Sequence, residues 1–294
     1  MPAAPTANSP VTHLRDIARF ACLMPLLAAA TACTLFDSAG PDVAGPPMDP
    51  GTNAWSAAEL VNELERGTDP ERRLTAAWAI GRNNVSAAAG ALTRTVRHDP
   101  SADVRETAAW ALGMMRVNRA LPALGEVLRH ESDPGVRFTA LWATIEIGDA
   151  AAIPVLQIAL SDPSPSMRER AAWAIGANAP ARAPTQLITA LNDDNADVRA
   201  TVAWSLGRIA DARSGRALAA ALDADPEEDV RIAALWALHR LGNAAPRAAI
   251  EQALDDPDST VREQAEKVLR GNAEWPWPRP WPMPRPRPYA FSDR

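Results

Sequence analysis

The chain has 294 residues, 47% of them hydrophobic but only 5% aromatic, and a net charge of -6. That length bounds one large or two ordinary domains with a sizeable core, and the acidic balance offers nothing global to a nucleic acid. Both cysteines, Cys22 and Cys33, fall near the N-terminus, so the rest holds no disulfide and no cysteine-ligated metal.

In chain order, Arg15 and Arg19 precede the apolar run "FACLMPLLAAATAC", which ends at Cys33. A run this short behind positive charge is expected to be a secretory signal peptide, residues 1–32, rather than a membrane span. Its end fits two processing routes. Ala30-Thr31-Ala32 is a small-x-small cleavage site for ordinary secretion. The same residues resemble a bacterial lipobox with Cys33 as the lipidated residue, although Ala30 stands where that motif usually has Leu. Residues 33–54, rich in Pro, Gly and Asp, are expected to be a flexible tether with a reach of about 25 Å.

From residue 55 one unit recurs. Aligned on its arginine, it gives Arg73, Arg105, Arg137, Arg168, Arg199, Arg231 and Arg262, spaced 31 or 32 residues apart. A period this constant means a solenoid of stacked repeats. Each unit holds two helical patterns, and an Asp-Pro pair separates them at Asp69, Asp99, Asp133, Asp162, Asp225 and Asp256. Asp caps helices well and Pro suits a first turn, so the pair is expected to start the second helix. Ser56 and Glu59 have capping-box spacing for the first helix.

"DPSADVRETAAWALG" and its copies resemble the HEAT-repeat family, in particular the HEAT-like repeats of phycobilisome lyases, over about residues 55–271. The resemblance implies an all-α fold, an α-α superhelix of about seven two-helix repeats. At about 8–10 Å per packed layer, that is a rod roughly 60–70 Å long. Lys267 replaces Trp in the polar last unit, as suits a terminal cap.

The recurrent arginines are expected to form a structural ladder with loop carboxylates, drawn from the Asp-Pro acids or from Asp103, Asp197 and Asp229. A second column holds Trp78, Trp110, Trp142, Trp173, Trp204 and Trp236. On a helical wheel Val104, Ala108, Ala111 and Leu112 share a stripe, and Trp110 falls off it beside Glu106. The resemblance implies that second helices line the concave surface, which would put the indoles along it. Gly81, Gly113, Gly176 and Gly207 follow their Trp by three residues and would clear space beside each ring. The column reads either as packing that replaces core volume lost to alanine or as a binding strip for a peptide, lipid or glycan.

Deoxyhypusine hydroxylases, catalytic members of the family, carry His-Glu pairs at the start of the second helix; the matching pairs here, such as Glu106-Thr107 and Phe138-Thr139, do not. His98, His130 and His239 do not have metal-cluster spacing. No triad, Walker loop or dinucleotide fingerprint is present. No catalytic residue, metal or cofactor is therefore expected.

The tail, residues 272–294, contains "WPWPRPWPMPRPRPY" with Pro at every even position from 276 to 288. Such alternation favours polyproline II. Three residues per turn put Trp277 on one face, Trp275, Trp281 and Arg287 on a second, and Arg279 and Arg285 on the third. The tail reads as a spacer, as a strip for an anionic membrane or aromatic groove, or as a segment that folds back onto the repeats.

The whole reads as an exported, non-catalytic scaffold, a monomer that binds a protein or peptide partner but no nucleic acid. Its expected place is the periplasm or outer membrane as a lipoprotein, with soluble secretion as the alternative. The competing function is a HEAT-type enzyme, lyase-like or chaperone protein acting on a bound cofactor or peptide.

Overall fold

The computed structural model describes residues 55–148 and 150–271. These fold into fourteen α-helices, with no strand among the described residues. The helices pair as α1 (Ala57–Arg66) with α2 (Pro70–Arg82), α3 (Ala89–His98) with α4 (Ala102–Met114), and α5 (Leu121–His130) with α6 (Pro134–Ile147). Then follow α7 (Ile153–Ala159) with α8 (Pro165–Asn178), α9 (Thr185–Thr189) with α10 (Ala196–Ile209), α11 (Gly215–Ala224) with α12 (Glu228–Leu241), and α13 (Arg247–Gln252) with α14 (Ser259–Leu269). Seven two-helix repeats stack into an all-α superhelix.

The two helices of a repeat are built differently. First helices such as α3 are amphipathic, burying Leu92 and Val96 while Arg94 and Arg97 face water. Second helices are packed on nearly every side, by their own first helix and by the second helices before and after. Alanine makes this feasible, because it favours helix and lets backbones approach. In α4 the buried set is Val104, Glu106, Thr107, Ala108, Ala109, Ala111, Leu112 and Gly113. The single stripe read from the wheel is therefore too narrow, and Glu106, off that stripe, is buried as well.

The caps show why the helices start and stop where they do. Ser56 and Glu59 form a reciprocal capping box at α1. Asp69 and Asp133 cap α2 and α6, each followed by Pro at the first helical position. The other Asp-Pro pairs sit two residues earlier than expected: Ser101, Ser164, Glu227 and Asp258 occupy the N-cap position, which frees Asp99, Asp162, Asp225 and Asp256 for another task. Each second helix from α2 to α12 ends at a left-handed residue, in turn Asn84, Arg116, Gly148, Ala179, Ala210 and Gly242. Alanine carries a steric cost there that glycine does not.

Candidate functional site

The freed acids form the ladder. Arg73 donates through Nε and Nη2 to both carboxylate oxygens of Asp99, at 2.8 and 2.9 Å, and through Nη1 to the Gly67 carbonyl. The same fork joins Arg105 to Glu131, Arg168 to Asp193, Arg199 to Asp225 and Arg231 to Asp256. Arg137 reaches Asp162 through Nε at 3.0 Å. Each arginine thus holds a carbonyl of its own loop and a carboxylate 25 or 26 residues ahead, in the next repeat. Each carboxylate also accepts the amide two residues on, as Asp225 does from Glu227. Arg262 donates to the Asp256 and Pro257 carbonyls, and among the described residues no further repeat follows to bring a carboxylate 25 or 26 residues ahead. Asp103, Asp197 and Asp229, offered by the sequence as partners, are not used.

These are charge-assisted, mostly two-pronged bonds, the strong kind. They raise the Arg73, Arg168 and Arg199 guanidinium groups above their ordinary value, the hydrogen bond to the partner carboxylate dominating. Burial alone would raise the Glu131 carboxyl, but the bonds from Arg105 and the Asp133 amide hold it below the usual range. Asp193 behaves likewise under Arg168 and the Asn195 amide.

The tryptophans occupy the row of second helices. These helices lie closer together than the first helices at most junctions, so they form the inside of the curve. Trp142 is 1% exposed, Trp78 and Trp204 are buried, and Trp110, Trp173 and Trp236 are half-buried. The glycines clear space, but for the ring of the following repeat rather than their own. A Cβ on Gly113 would meet the Ala143 Cα and the Trp142 ring at 2.7 Å, and one on Gly207 would meet the Trp236 ring at 2.5 Å. Gly81 serves Trp110 in the same way, and Gly176 receives Ser205, whose hydroxyl donates to the Ala172 carbonyl at 2.8 Å.

One interior junction breaks this pattern. At the glycine position α6 carries Ile145, and α6 stands further from α8 than any other successive pair of second helices. On the outer side the exchange runs the other way. Gly125 of α5 lets Val155 and Ile158 of α7 approach, and these first helices are the closest of their row. Between repeats three and four the second helices therefore stand apart while the first helices lie close. At the junctions on either side a glutamate faces a threonine across neighbouring helices: Thr139 donates to buried Glu106 at 3.0 Å, and Thr201 to Glu169 at 3.4 Å. Here Phe138 faces Arg170, whose guanidinium lies 5.1 Å from the ring centroid. Phe138, Ile145, Arg170 and Trp173, on these two helices, are all half-buried, and the three apolar ones pack against the core. Phe138, Ile145 and Arg170 are not among the site residues expected from the sequence, although Ile145 breaks a glycine column and Arg170 a threonine column.

Beside the gap, Glu169 is raised above the ordinary carboxylate value by burial and by the nearby charge of Asp197, with Thr201 and Arg170 opposing. Among the described residues no three His, Cys, Asp or Glu side chains gather as a metal site, and no helix is long and apolar enough to cross a membrane. Cys33, the signal and tether segments, and Trp275, Trp277, Arg279, Trp281, Arg285 and Arg287 lie outside the described residues.

Several solved structures are similar to this chain at low identity. The complex of CpcE and CpcF of phycocyanin lyase from Nostoc is 21% identical, covering 80% of this chain and 99% of that one, with a TM-score of 0.43. YibA of Escherichia coli is 22% identical over 73% of this chain and 81% of its own, with a TM-score of 0.49. Human deoxyhypusine hydroxylase is 22% identical over 74% and 95%, with a TM-score of 0.34. No curated protein matches significantly. The family model for HEAT repeats matches residues 57–145, 124–191, 153–238 and 184–270, and the chain accordingly belongs to the HEAT-repeat family.

Proposed function

We propose that this HEAT-repeat protein is a non-catalytic interaction scaffold of a bacterial cell envelope, anchored by a lipid on Cys33 and binding a protein or peptide along its inner row of second helices. The observation that carries the reading is the half-buried aromatic line of Trp110, Phe138, Trp173 and Trp236 on that row. Partly exposed, rigidly seated aromatic rings are the anchors that protein interfaces favour. The ladder supports the same role, because it locks successive repeats and so preorganises an extended surface. The arginine-led run ending at Cys33 supports export and anchoring.

The test has two arms. Cells expressing the full chain are fed an alkyne-bearing palmitate, and the label is expected on the wild type and absent from Cys33→Ser. In envelope fractions, chemical crosslinking of the wild type is expected to yield a discrete partner. That partner is lost when Trp110 and Trp173 are both replaced by Ala in a variant that stays folded. An unlabelled wild type overturns the anchor, and a partner captured equally by the double variant overturns the inner row as the binding face.

A further inference from the structure

The outer row of first helices carries ion pairs of its own, and α5 breaks their run. Arg94 of α3 pairs with Glu65 of α1, and Arg97 of α3 with Glu126 of α5 at 3.0 Å. Both pairs span 29 residues, so Arg129 of α5 would meet position 158 of α7, where Ile158 stands. Arg129 is left with a long bond to the Gly125 carbonyl at 3.5 Å, and Arg119 with one to the Ser86 carbonyl at 3.4 Å. Neither guanidinium has a carboxylate partner among the described residues, and nearby Glu126 is engaged by Arg97.

Both arginines line a slot of about 530 Å³ between α5 and α7. Its floor is apolar, formed by buried Leu121, Gly125 and Val155 with half-buried Ile158, and exposed Pro122 and Pro154 flank it. Gly125 keeps the floor bare where α3 has Thr93 and α7 has Gln157 in the equivalent place, and a Cβ there would already crowd the Ile158 Cδ1 at 3.2 Å. Ten residues separate the arginines, about 15 Å along a helix. Spread over that length, the slot is narrower than a helix with its side chains, about 10–12 Å across, so its ligand is an extended chain. In such a chain the side chains at i, i+2 and i+4 share one face, the outer two about 13 Å apart. An amphiphile with one headgroup would pair one arginine and leave the other. Two carboxylates flanking an apolar side chain satisfy both.

We propose that this slot binds an extended acidic segment of a protein partner, with the pattern acid-x-apolar-x-acid. The apolar side chain seats over Gly125 against Val155 and Ile158, and the two carboxylates take charge-assisted bonds from Arg119 and Arg129. Charge complementarity supports the choice. The chain is at -6 overall, yet the slot presents two exposed guanidinium groups beside an acid that is already taken. The site lies on the outer row, so it is a second surface that does not depend on the tryptophans.

The probe is the fluorescein-labelled peptide TETLTET, titrated with the full chain and read by fluorescence anisotropy. Saturable binding is expected, weakened at least tenfold when Lys replaces both Glu or Gly replaces Leu in the peptide. Ile158→Glu gives Arg129 the kind of partner that Arg97 has and puts a charge on the floor. It is expected to keep its melting temperature within a few degrees and to bind at least tenfold more weakly. Arg119→Ala with Arg129→Ala, both at exposed positions, is expected to do the same. The Trp110 and Trp173 double variant is expected to bind the peptide as the wild type does, which separates this site from the inner row. No saturation up to about 2 mM peptide, or undiminished binding by either folded variant, would overturn the proposal. Binding to phosphatidylglycerol vesicles that both variants lose, with no binding of the peptide, would also overturn it and assign the arginines to an anionic lipid surface.

Discussion

Replacing Gly113 by alanine tests the packing argument against simple helix propensity, because the two give opposite signs. Alanine in a helix interior is favoured over glycine by about 0.8–1.0 kcal/mol. At Gly113 the new methyl would lie 2.7 Å from the Ala143 Cα and 2.9 Å from its Cβ, with the Trp142 ring at 2.7 Å. A neighbouring backbone cannot step aside as a flexible side chain can, so overpacking of about 1–3 kcal/mol applies at its upper end. The net expectation is a loss of about 1–2 kcal/mol. For an array of this size that lowers the melting temperature by about 2–8 °C. Gly90 in α3 is the control, since a Cβ there meets only the Arg94 guanidinium at 3.8 Å. Gly90→Ala should therefore raise the melting temperature by about 2–4 °C. Circular dichroism melts of the two variants decide it. A rise for Gly113→Ala comparable to that for Gly90→Ala would refute the close approach of α4 and α6.

Arg199→Ala strands the Asp225 carboxylate, 6% exposed, and is expected to cost about 3 kcal/mol in urea unfolding, with Arg199→Lys recovering only part of it. Trp142→Ala, at a ring 1% exposed, should cost about 3–5 kcal/mol, and Trp110→Ala distinctly less because that ring is half-buried. Ala210→Gly relieves a left-handed alanine at φ 55° and is expected to stabilise by about 0.5–1 kcal/mol in the same assay. Glu131 and Asp193 are held below their ordinary values of 4.5 and 3.8, so their contribution is complete above about pH 4.5 and lost as the pH falls further. Melting temperatures should drop steeply below pH 4.5, less so in Glu131→Gln, which has already lost the bond. Glu169 is raised, so its charge opposes folding at neutral pH, and Glu169→Gln should be neutral or stabilising at pH 7 with no gain near pH 4.

Much of the fold is readable from the 31- and 32-residue spacing of the arginines, because a solenoid repeats its physics with its sequence. The registers inside the repeat were harder to see. Asp69 and Asp133 lie four residues before their arginine and cap helices, whereas Asp99, Asp162, Asp225 and Asp256 lie six before and become ladder acids. The identical dipeptide hides two roles that only the distance to Arg separates. The ladder itself joins groups 25 or 26 residues apart, a pairing that depends on how repeats stack and not on local pattern. A wheel drawn for one helix does not show that α4 is enclosed by α2, α3 and α6, so a single apolar stripe leaves out buried Glu106. The open junction was legible in principle. Ile145 stands in a glycine column and Phe138 in a column with three glutamates, departures that a repeat period by itself does not display.

The central claim is that α6 and α8 are held apart while α8 and α10 touch, and spin labelling measures this directly. Glu146, Ala177 and Arg208 occupy equivalent places near the ends of α6, α8 and α10. With Cys22 and Cys33 changed to Ser, nitroxide pairs are placed at 146 and 177 and at 177 and 208, and dipolar broadening is compared by electron paramagnetic resonance. The account requires weak broadening for the 146–177 pair and strong broadening for 177–208, with the difference abolished by Phe138→Glu, Ile145→Gly and Arg170→Thr together. Equal broadening of the two pairs in the unaltered junction would contradict it.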